Sequence, residues 1–351
     1  MEPMMRDDDV GTGRLAADGS RSARWKTWIR PVIGIVISLA CLVLVFRRVD
    51  FDALKLALVE FRWHFLAIGL VSLAIDYSAR IERWAVMLRA AGASVRTGRC
   101  IAPFLGSITL NNVLPLRAGD LVRALVFPSA IGVSRVTATA SLLFERLIDL
   151  MTLLLSLGIG LLISPMPLPE WIGKTVLGIA VVGGAALAVI IVLGRPLITL
   201  LEWLARRLDG VAAAAKIVRL MASLIEQLST MGNARTLARV LLLSAIVWAG
   251  EAGLFWMMFQ GLDLPAGYAS ALMVMAIATL STLVPSSPGY VGPFHLAAFA
   301  AVRALGGSDA QAASFAVLSH LSLWLPTTIA GGIAILLNPK LFASRVRSEL
   351  N

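Results

Sequence analysis

The sequence predicts an all-α polytopic membrane protein with about six spanning helices, two re-entrant broken hairpins and a possible inverted repeat. Three observations predict this class. Of the 351 residues, 58% are hydrophobic and 15% are charged, whereas a soluble domain carries about 25% charged residues. Apolar runs recur almost to the C-terminus, at lengths that suit a bilayer. Two of these runs contain prolines and glycines in their middle, where these residues break helices.

Six continuous apolar segments are candidates for spanning helices, and the first of them is short for a bilayer. They are residues 31–46, 65–80, 136–163, 172–193, 237–260 and 311–337. The two interrupted segments are residues 101–127 and 266–304, and we expect each to return to the side from which it entered. We therefore expect one transmembrane domain over residues 31–337.

The distribution of charge predicts which segments face the cytoplasm. Lysine and arginine total 31 against 21 acidic residues, a net charge of +10, which favours anionic lipid headgroups over nucleic acid as partners. The basic residues cluster in four regions, which are residues 1–30, 80–99, 195–239 and 338–351. We therefore expect a multi-pass protein of the bacterial inner membrane with both termini cytoplasmic. Residues 1–30 are polar and glycine-rich, which predicts a disordered tail. The loop 47–63 also carries four basic residues, although it must lie outside if the first two segments both span. Its location therefore stays open.

This topology places a span, a broken hairpin and a second span in each half of the chain, with opposite orientations. Transporters built from inverted repeats have this arrangement, with the binding site where their broken elements meet. We therefore expect residues 80–127 and 266–304 to form one shared site. The expectation rests on hydropathy and helix-breaking residues, since no residue-level repeat is visible.

The region 195–239 between the halves predicts an amphipathic cytoplasmic helical segment. Its apolar residues recur at helical spacing and are Ile217, Leu220, Leu224, Leu228 and Met231. Such a helix either lies on the anionic membrane surface or packs on the cytoplasmic ends of the spans. The sequence favours neither location.

The first break contains polar residues that suit a phosphate group. Asn111 and Asn112 can donate hydrogen bonds, and Arg117 or Arg123 can hold phosphate oxygens near a half-helix N-terminus that also carries Asp120. In the alternative interpretation these side chains satisfy the interrupted backbone, while the arginines reach the headgroup region. The sequence favours the binding site modestly.

The second break, residues 285–295, contains three prolines and two glycines in an apolar region. Gly289 and Gly292 allow close approach of the backbone, Ser287 supplies a hydroxyl, and His295 lies where the next helix begins. A cavity lining is the functional interpretation and an extracellular loop is the alternative. The apolar flanks favour the cavity.

Ionisable residues inside apolar segments are functional candidates. Glu145, Arg146 and Asp149 form either a structural cluster or the counter-charges of a cavity. Glu251 lies in mid-span without a cation on its own helix, so it needs a partner or a proton. A hydrogen bond to another helix is the favoured role, and a protonation-coupled role is the alternative, which makes Glu251 a charge-coupling candidate together with Arg80, Glu82 and Arg83. A further charge cluster ends the second span and contains Arg80, Glu82 and Arg83, with Asp76 four residues before Arg80. For this cluster, salt bridges at the membrane interface are the expected role.

These motifs, in this order, resemble a known family. The pattern comprises Arg80, Glu82, Arg83 and Trp84, then Ser107, Asn111, Asn112, Leu114, Pro115, Arg117, Gly119, Asp120 and Arg123, then Phe144, Glu145, Arg146 and Asp149, and finally residues 285–292. It is similar to the flippase-like transmembrane region of the lysylphosphatidylglycerol synthases, over residues 31–337. At the second break the family commonly has Gly-Gly-x-Gly and then an acidic residue, where this chain has Gly289, Tyr290, Val291, Gly292 and His295.

The resemblance implies a function in lipid movement. In the large bifunctional members this region is joined to an aminoacyl transferase domain that charges phosphatidylglycerol, and the membrane part is implicated in moving the product outward. This chain ends at Asn351 and so resembles the stand-alone members, some of which occur with polyprenyl-linked glycan or hopanoid pathways. The resemblance thus implies a flippase-like protein that acts on a phosphate-bearing lipid.

Three functions remain in competition. The first is a lipid translocase, and the second is an intramembrane lipid-modifying enzyme. The chain lacks His-Glu-x-x-His and Gly-x-Ser-x-Gly motifs, although Ser287 and His295 remain a conceivable nucleophile and base. The third is a non-transporting partner of a separate lipid-modifying enzyme. We expect no catalytic residue, cofactor or metal, since Cys41 and Cys100 lack the spacing of metal ligands.

Overall fold

The computed structural model describes residues 33–47, 49–164, 170–208 and 211–343. Within these ranges the chain forms helices and turns and contains no strand. The predicted all-α class is therefore confirmed. The predicted tail 1–30 and the larger part of the tail 338–351 lie outside the described residues.

The helices follow one another with short connections. They are α1 (Ile33–Phe46), α2 (Phe51–Val59), α3 (Trp63–Ala90), α4 (Thr97–Val113), α5 (Ala118–Leu125), α6 (Pro128–Ile131), α7 (Arg135–Ile163), α8 (Glu170–Val192), α9 (Gly194–Arg207), α10 (Ala212–Met231), α11 (Ala234–Gly261), α12 (Tyr268–Ser281), α13 (Pro293–Ala304), α14 (Asp309–Leu337) and α15 (Lys340–Ala343). Two 3-10 turns, Pro115–Arg117 and Pro288–Tyr290, join α4 to α5 and α12 to α13.

Four helices among the described residues, α3, α7, α11 and α14, are long and apolar enough to cross a membrane. They correspond to four of the six predicted spans. The other two predicted spans coincide with shorter apolar helices, α1 and the stretch Trp171–Ala185 of α8. Helix α3 continues ten residues past the predicted end at Arg80, because Arg83 is buried with a carboxylate partner. Hydropathy counts such a residue as a full charge and ends the span too early.

Three of the long helices begin at polar N-caps. The Ser134 hydroxyl accepts a hydrogen bond from the backbone N–H of Thr137 at 3.0 Å, which fixes the start of α7. Asn233 caps α11 in the same way, with its side-chain oxygen 3.0 Å from the N–H of Thr236. Ser308 caps α14. These caps satisfy backbone donors that would otherwise be unpaired at helix ends.

Helices α3 and α11 pack against each other in opposite directions. The hydroxyl of Ser72 donates to the carbonyl of Gly250 at 2.8 Å, while Arg83, farther along α3, bonds Ser244, earlier in α11. Glycine allows the close approach, since a Cβ at Gly250 would lie 3.0 Å from the carbonyl oxygen of Ser72. Small residues at a helix contact are typical of membrane proteins.

The packing of the two halves follows one pattern. Helix α4 lies antiparallel to α14, with the Thr109 hydroxyl 2.9 Å from the carbonyl of Thr328, and α12 lies on α7, where Ser270 and Ser164 share a 3.0 Å hydrogen bond. Exchanging α3 with α11, α4 with α12 and α7 with α14 leaves this set of packed pairs unchanged. A two-fold axis that inverts one half onto the other produces such a pattern, which supports the predicted inverted repeat.

The predicted amphipathic region 195–239 consists of two helices, α9 and α10, and the beginning of α11. The predicted apolar face of α10 is buried at one end of the helix and exposed at the other. Leu228 and Met231 are buried against α3, α4 and α7, whereas Ile217 and Leu220 are 59% and 50% exposed. The second half of α10 is therefore packed on the bundle, as one of the two alternatives requires.

Candidate functional site

The two helix breaks meet in the middle of the fold. A side-chain nitrogen of Arg117, Nη2, donates to the hydroxyl of Thr282 at 2.8 Å. The same guanidinium lies over the ring of Tyr290, with its carbon 5.3 Å from the ring centroid. The indole N–H of Trp324 on α14 reaches the carbonyl of Asn112 at 3.4 Å. The structure thus brings together the predicted regions 80–127 and 266–304.

Two cavities border this meeting point. The first, the polar cavity, is named for the charged side chains in a wall that is otherwise largely apolar. It has a volume of about 230 Å³ and lies between α3, α4, α7, α11, α12 and α14. Its polar and ionisable lining comprises Tyr77, Arg80, Asn111, Asn112, Arg117, Arg146, Asp149, Glu251, Thr279, Thr282, Tyr290, His320 and Thr327. A second cavity, of about 470 Å³, is bounded by α1 and the two breaks. Arg117 lines both cavities.

The first break is built on left-handed backbone. Leu116 and Arg117 have φ angles of 62° and 52°, which turn the chain sharply after Pro115 and begin α5 at Ala118. The turn lets Asn111 and Asp120 bond reciprocally: the amide of Asn111 donates to the carboxylate, and its oxygen accepts from the backbone N–H of Asp120, both at 3.0 Å. This geometry fixes the angle between α4 and α5.

The second carboxamide also holds the break in place. The side-chain nitrogen of Asn112 donates to the hydroxyls of Thr328 at 2.8 Å and Thr327 at 3.2 Å, both on α14. Both asparagines therefore have protein partners, which agrees with the structural alternative for these two residues. Both asparagines also line the polar cavity, as Arg117 does.

Arg117 differs from the other arginines around the cavity. Its hydrogen bonds within the described part of the chain go to Thr282, through the side-chain hydroxyl and, at 3.3 Å, the carbonyl. No carboxylate pairs with it among these residues, and its side chain is half-buried. A guanidinium in this position offers further N–H donors to an anion.

The α7 charges pair with both α3 and α5. Nη2 of Arg146 lies 2.9 and 3.0 Å from the two carboxylate oxygens of Asp120, and Asp149 accepts from Arg83 at 2.7 Å. Arg146 and Asp149 line the polar cavity. Their charges therefore belong to the cavity wall.

Arg123 and Glu145 lie behind that wall. They form an ion pair with a 3.0 Å contact, and their side chains are 2% and 3% exposed. The guanidinium of Arg123 faces the rings of both Trp84 and Phe104, with its carbon 5.4 and 4.8 Å from the two centroids. Neither residue lines the two cavities. Their arrangement is that of a buried structural pair.

Glu251 obtains its cation from another helix. Arg80 on α3 donates to Glu251 at 2.6 Å and to Asp76 at 2.6 Å, so one guanidinium serves two carboxylates. The other oxygen of Glu251 accepts from the hydroxyl of Thr279 on α12 at 3.0 Å. The indole of Trp248 lies under the guanidinium, with its centroid 4.8 Å from the guanidinium carbon.

The remaining predicted residues take other positions. Glu82 pairs with Arg89 at 2.6 Å, and its side chain is 40% exposed, so it lies outside the cavities. Ser287 and Gly289 line the second cavity. Gly292 and His295 line neither, and the ring of His295 packs on that of His320 with centroids 4.5 Å apart.

Sequence reasoning missed several residues of the site. Thr279, Thr282 and Thr327 supply hydroxyls to the charged groups or to the break, and His320 donates to the carbonyl of Gly289 at 2.7 Å. All four lie in apolar helices or directly after one, near further polar residues such as Ser281, Ser319 and Thr328. Such residues are unusual in membrane spans, and this signal could have identified them.

A repeat at the breaks also becomes visible in three dimensions. Each break is a 3-10 turn that starts with proline, and the next two residues have positive φ. The pairs are Leu116 and Arg117 in the first turn and Gly289 and Tyr290 in the second. Proline alone is shared between the two sequences, so the equivalence is carried by the backbone.

Comparison with known proteins gives two results. The family model described as "Lysylphosphatidylglycerol synthase TM region" matches residues 32–331, which confirms the resemblance of the motifs. A curated protein of Haloferax volcanii, "Glycosyltransferase AglD", is 26% identical over 354 residues. The match covers 90% of this chain and 56% of that protein, so the chain spans little more than half the length of this relative.

Proposed function

Because the chain belongs to the family of the lysylphosphatidylglycerol synthase TM region, we propose that it binds a phosphate-bearing lipid at Arg117 and moves the headgroup across the membrane. The observation that carries this proposal is the position of Arg117. It lies at the meeting of the two breaks, without a carboxylate partner among the described residues, and borders both cavities. A half-buried cation without a carboxylate partner favours an anionic ligand.

The two cavities fit the two parts of a lipid. The first contains the charged side chains of α3, α7 and α11 and suits a headgroup. The second is lined by Ile33 of α1 and, at the breaks, by Leu114, Leu116 and Leu283, of which Leu116 and Leu283 are 69% and 64% exposed. Apolar surface of this kind suits acyl or prenyl chains. Arg117, at the boundary, would hold the phosphate between them.

The class of cargo follows from this chemistry. A lipid with a phosphodiester or diphosphate next to its apolar chains satisfies both cavities, whether its headgroup is aminoacylated, glycosylated or of a polyprenyl or hopanoid pathway. The Haloferax relative is named a glycosyltransferase, which is compatible with a lipid-linked sugar as cargo. We propose the phosphate as the shared feature that the site recognises.

The two other functions have less support. For a hydrolytic pair, Ser287 would need His295 as its base. Instead the Ser287 hydroxyl bonds the carbonyl of Val291 at 3.4 Å, and Nδ1 of His295 accepts from the N–H of Gly292 at 3.4 Å. A role as the partner of a lipid-modifying enzyme would use the exposed side of α10 around Ile217 and Leu220, and it requires no cavity at the breaks.

The test is headgroup translocation in proteoliposomes made with the native membrane lipids. A membrane-impermeant headgroup reagent reports leaflet position, and mass spectrometry reports the chemical identity of each lipid. The intact protein is compared with Arg117→Ala, which removes charge-assisted hydrogen bonds worth about 1.5 to 3 kcal/mol. We expect the rate to fall by roughly tenfold or more, since 1.4 kcal/mol is a factor of ten.

Arg135→Ala is the matched control, because Arg135 is an exposed arginine at the start of α7. Its rate should equal that of the unaltered protein. Equal rates for Arg117→Ala and the unaltered protein would refute the site. A lipid that changes chemically during the assay would identify an enzyme instead.

A further inference from the structure

Asp76, Arg80 and Glu251 form a buried cluster with two carboxylates and one cation. Both carboxylates bond the same guanidinium at 2.6 Å. Asp76 is fully buried, and its second oxygen, Oδ2, has no hydrogen-bond partner in the described structure. A buried carboxylate oxygen without a donor is costly as an anion and is satisfied when it carries a proton. Asp149 and Glu145 also have one such oxygen, but each pairs with an arginine of its own, whereas Asp76 and Glu251 share Arg80. The shared cation therefore distinguishes this cluster as the candidate for taking up a proton.

The charges around the polar cavity balance only when they are taken together. Its ionisable lining and the direct ion-pair partners of that lining comprise four arginines and four carboxylates in the described chain. These residues are Arg80, Arg83, Arg117, Arg146, Asp76, Asp120, Asp149 and Glu251. Asp120, Arg146, Asp149 and Arg83 form one chain of ion pairs through α7, and this chain is neutral. The positive excess therefore lies on Arg117 and the negative excess on the cluster of Asp76, Arg80 and Glu251.

An anionic ligand at Arg117 removes this balance. The ligand cancels the one positive excess, and the two carboxylates on Arg80 then leave a net negative charge at the buried end of the cavity, where Asp76 is fully buried. Burying an uncompensated charge is expensive, and taking up a proton neutralises it. We propose that binding of a monoanionic lipid headgroup at Arg117 is coupled to the binding of one proton by the Asp76 and Glu251 carboxylates. This inference rests on the proposed lipid site and adds its ion coupling.

The proton balance is simple. One O–H bond forms on a carboxylate of the pair, and a buffer acid of the surrounding solution releases the proton as its own bond to that proton breaks. Glu251 lines the cavity and is the carboxylate of the pair that solution reaches. Asp76 shares the proton through the common guanidinium of Arg80, so the pair titrates as a unit. The lipid phosphate and the proton enter together, and the loaded cavity carries the same net charge as the empty one.

Other groups face the pair from each neighbouring helix. Helix α3 contributes Arg80, Tyr77 and Arg83, and α7 contributes Asp149. From α12 and α4 the neighbours are neutral, namely Thr279 and the two asparagines. His320 on α14 lines the same cavity and bonds the carbonyl of Gly289. Of these groups, Arg83 and Asp149 are already paired with each other, which leaves Asp76 and Glu251 as the carboxylates that share one cation.

The experiment measures proton uptake when a lipid binds to the purified protein in detergent. Short-chain phosphatidylglycerol is titrated by calorimetry in two buffers of different ionisation enthalpy, at several pH values around neutrality. At the pH of largest uptake we expect about one proton for each lipid bound. Short-chain phosphatidylcholine has the same phosphodiester but cancels its charge with a quaternary amine, so it should take up none.

Two variants locate the proton. Asp76→Asn and Glu251→Gln imitate protonated carboxyls, so both should fold and bind phosphatidylglycerol with proton uptake reduced to a small fraction. Glu82→Gln, on α3 but outside the cavities, is the matched control and should keep full uptake. Binding without proton uptake would overturn the coupling while leaving the Arg117 site intact, as would full uptake in both variants. If phosphatidylglycerol does not bind at all, the lipid site fails and the coupling fails with it.

Discussion

Arg117 of the first break lies over the ring of Tyr290 in the second, with its guanidinium carbon 5.3 Å from the ring centroid. Each is the last residue of a 3-10 turn that begins with proline, and their φ angles of 52° and 60° are both positive. They therefore hold equivalent positions in the two halves, and they touch where the halves meet. A contact between equivalent residues is expected on a pseudo-two-fold axis. The boundary between the two cavities lies on this contact.

Replacing Tyr290 with alanine tests whether the ring positions Arg117. Removal of the ring should lower the rate of headgroup movement several-fold, since a cation over an aromatic ring gains about 0.5 to 2 kcal/mol. Tyr290→Phe keeps the ring face and is the control, with a rate close to that of the unaltered protein. The proteoliposome assay measures both. An equal loss in the two variants would assign the effect to the phenol hydroxyl instead.

Gly119→Ala should destabilise the first hairpin. A Cβ at this position would lie 1.9 Å from the carbonyl oxygen of Ser107 and 2.8 Å from the backbone nitrogen of Asn111. Because backbone atoms of α4 form this contact, α5 must move away and lose its bonds to Asn111. We expect the free energy of unfolding to fall by about 1 to 3 kcal/mol or more. Thermal unfolding in detergent should show this as a lower unfolding temperature.

The control for this substitution is Gly184→Ala on α8, where nothing lies within 4 Å of an added Cβ. There alanine should leave the unfolding temperature unchanged or raise it slightly, because it favours the helix. If both substitutions leave the unfolding temperature unchanged, α5 does not pack closely on α4.

The equivalent residues Leu116 and Gly289 should respond to substitution in opposite ways. Leu116 adopts a φ of 62° with its side chain 69% exposed, so Leu116→Gly relieves a backbone strain of about 1 kcal/mol at little cost in packing. Gly289→Ala introduces such strain at a φ of 74° and brings a Cβ to 2.9 Å from the indole nitrogen of Trp324. Thermal unfolding should show a rise for the first and a fall for the second. A change of the unfolding temperature in the same direction for both variants would contradict the equivalence of the turns.

The membrane class and the two breaks could be predicted from the sequence because each is a local property. Apolar composition identifies spans, and Pro115 and Pro288 lie in stretches with glycine and polar residues where a helix ends, whereas Pro103 and Pro326 lie inside α4 and α14. The family could be predicted as well, from motifs read in order. These predictions need no knowledge of which helices touch.

Ion pairing could not be predicted in this way. Glu251 binds Arg80, which lies 171 positions earlier in the chain, and no local pattern connects them. Arg123 and Glu145 are candidates for the binding site in the sequence, yet they form a buried ion pair behind the cavity wall. Hydropathy adds residues one at a time, whereas an ion pair cancels two charges at once, so the partner decides the environment of each charged residue.

The proposed coupling predicts how a pH gradient affects lipid distribution. One proton accompanies each monoanionic lipid, so labelled phosphatidylglycerol should accumulate in the leaflet that faces the alkaline side, by about tenfold for each pH unit at equilibrium. The loaded cavity carries no added charge, so a membrane potential of about 100 mV, worth about 2.3 kcal/mol per elementary charge, should leave that ratio unchanged. Glu251→Gln should abolish the response to pH, while Glu82→Gln should keep it. A ratio that follows the potential in the unaltered protein would show that the lipid crosses as an uncompensated anion, and the carboxylates on Arg80 would then have no part in its movement.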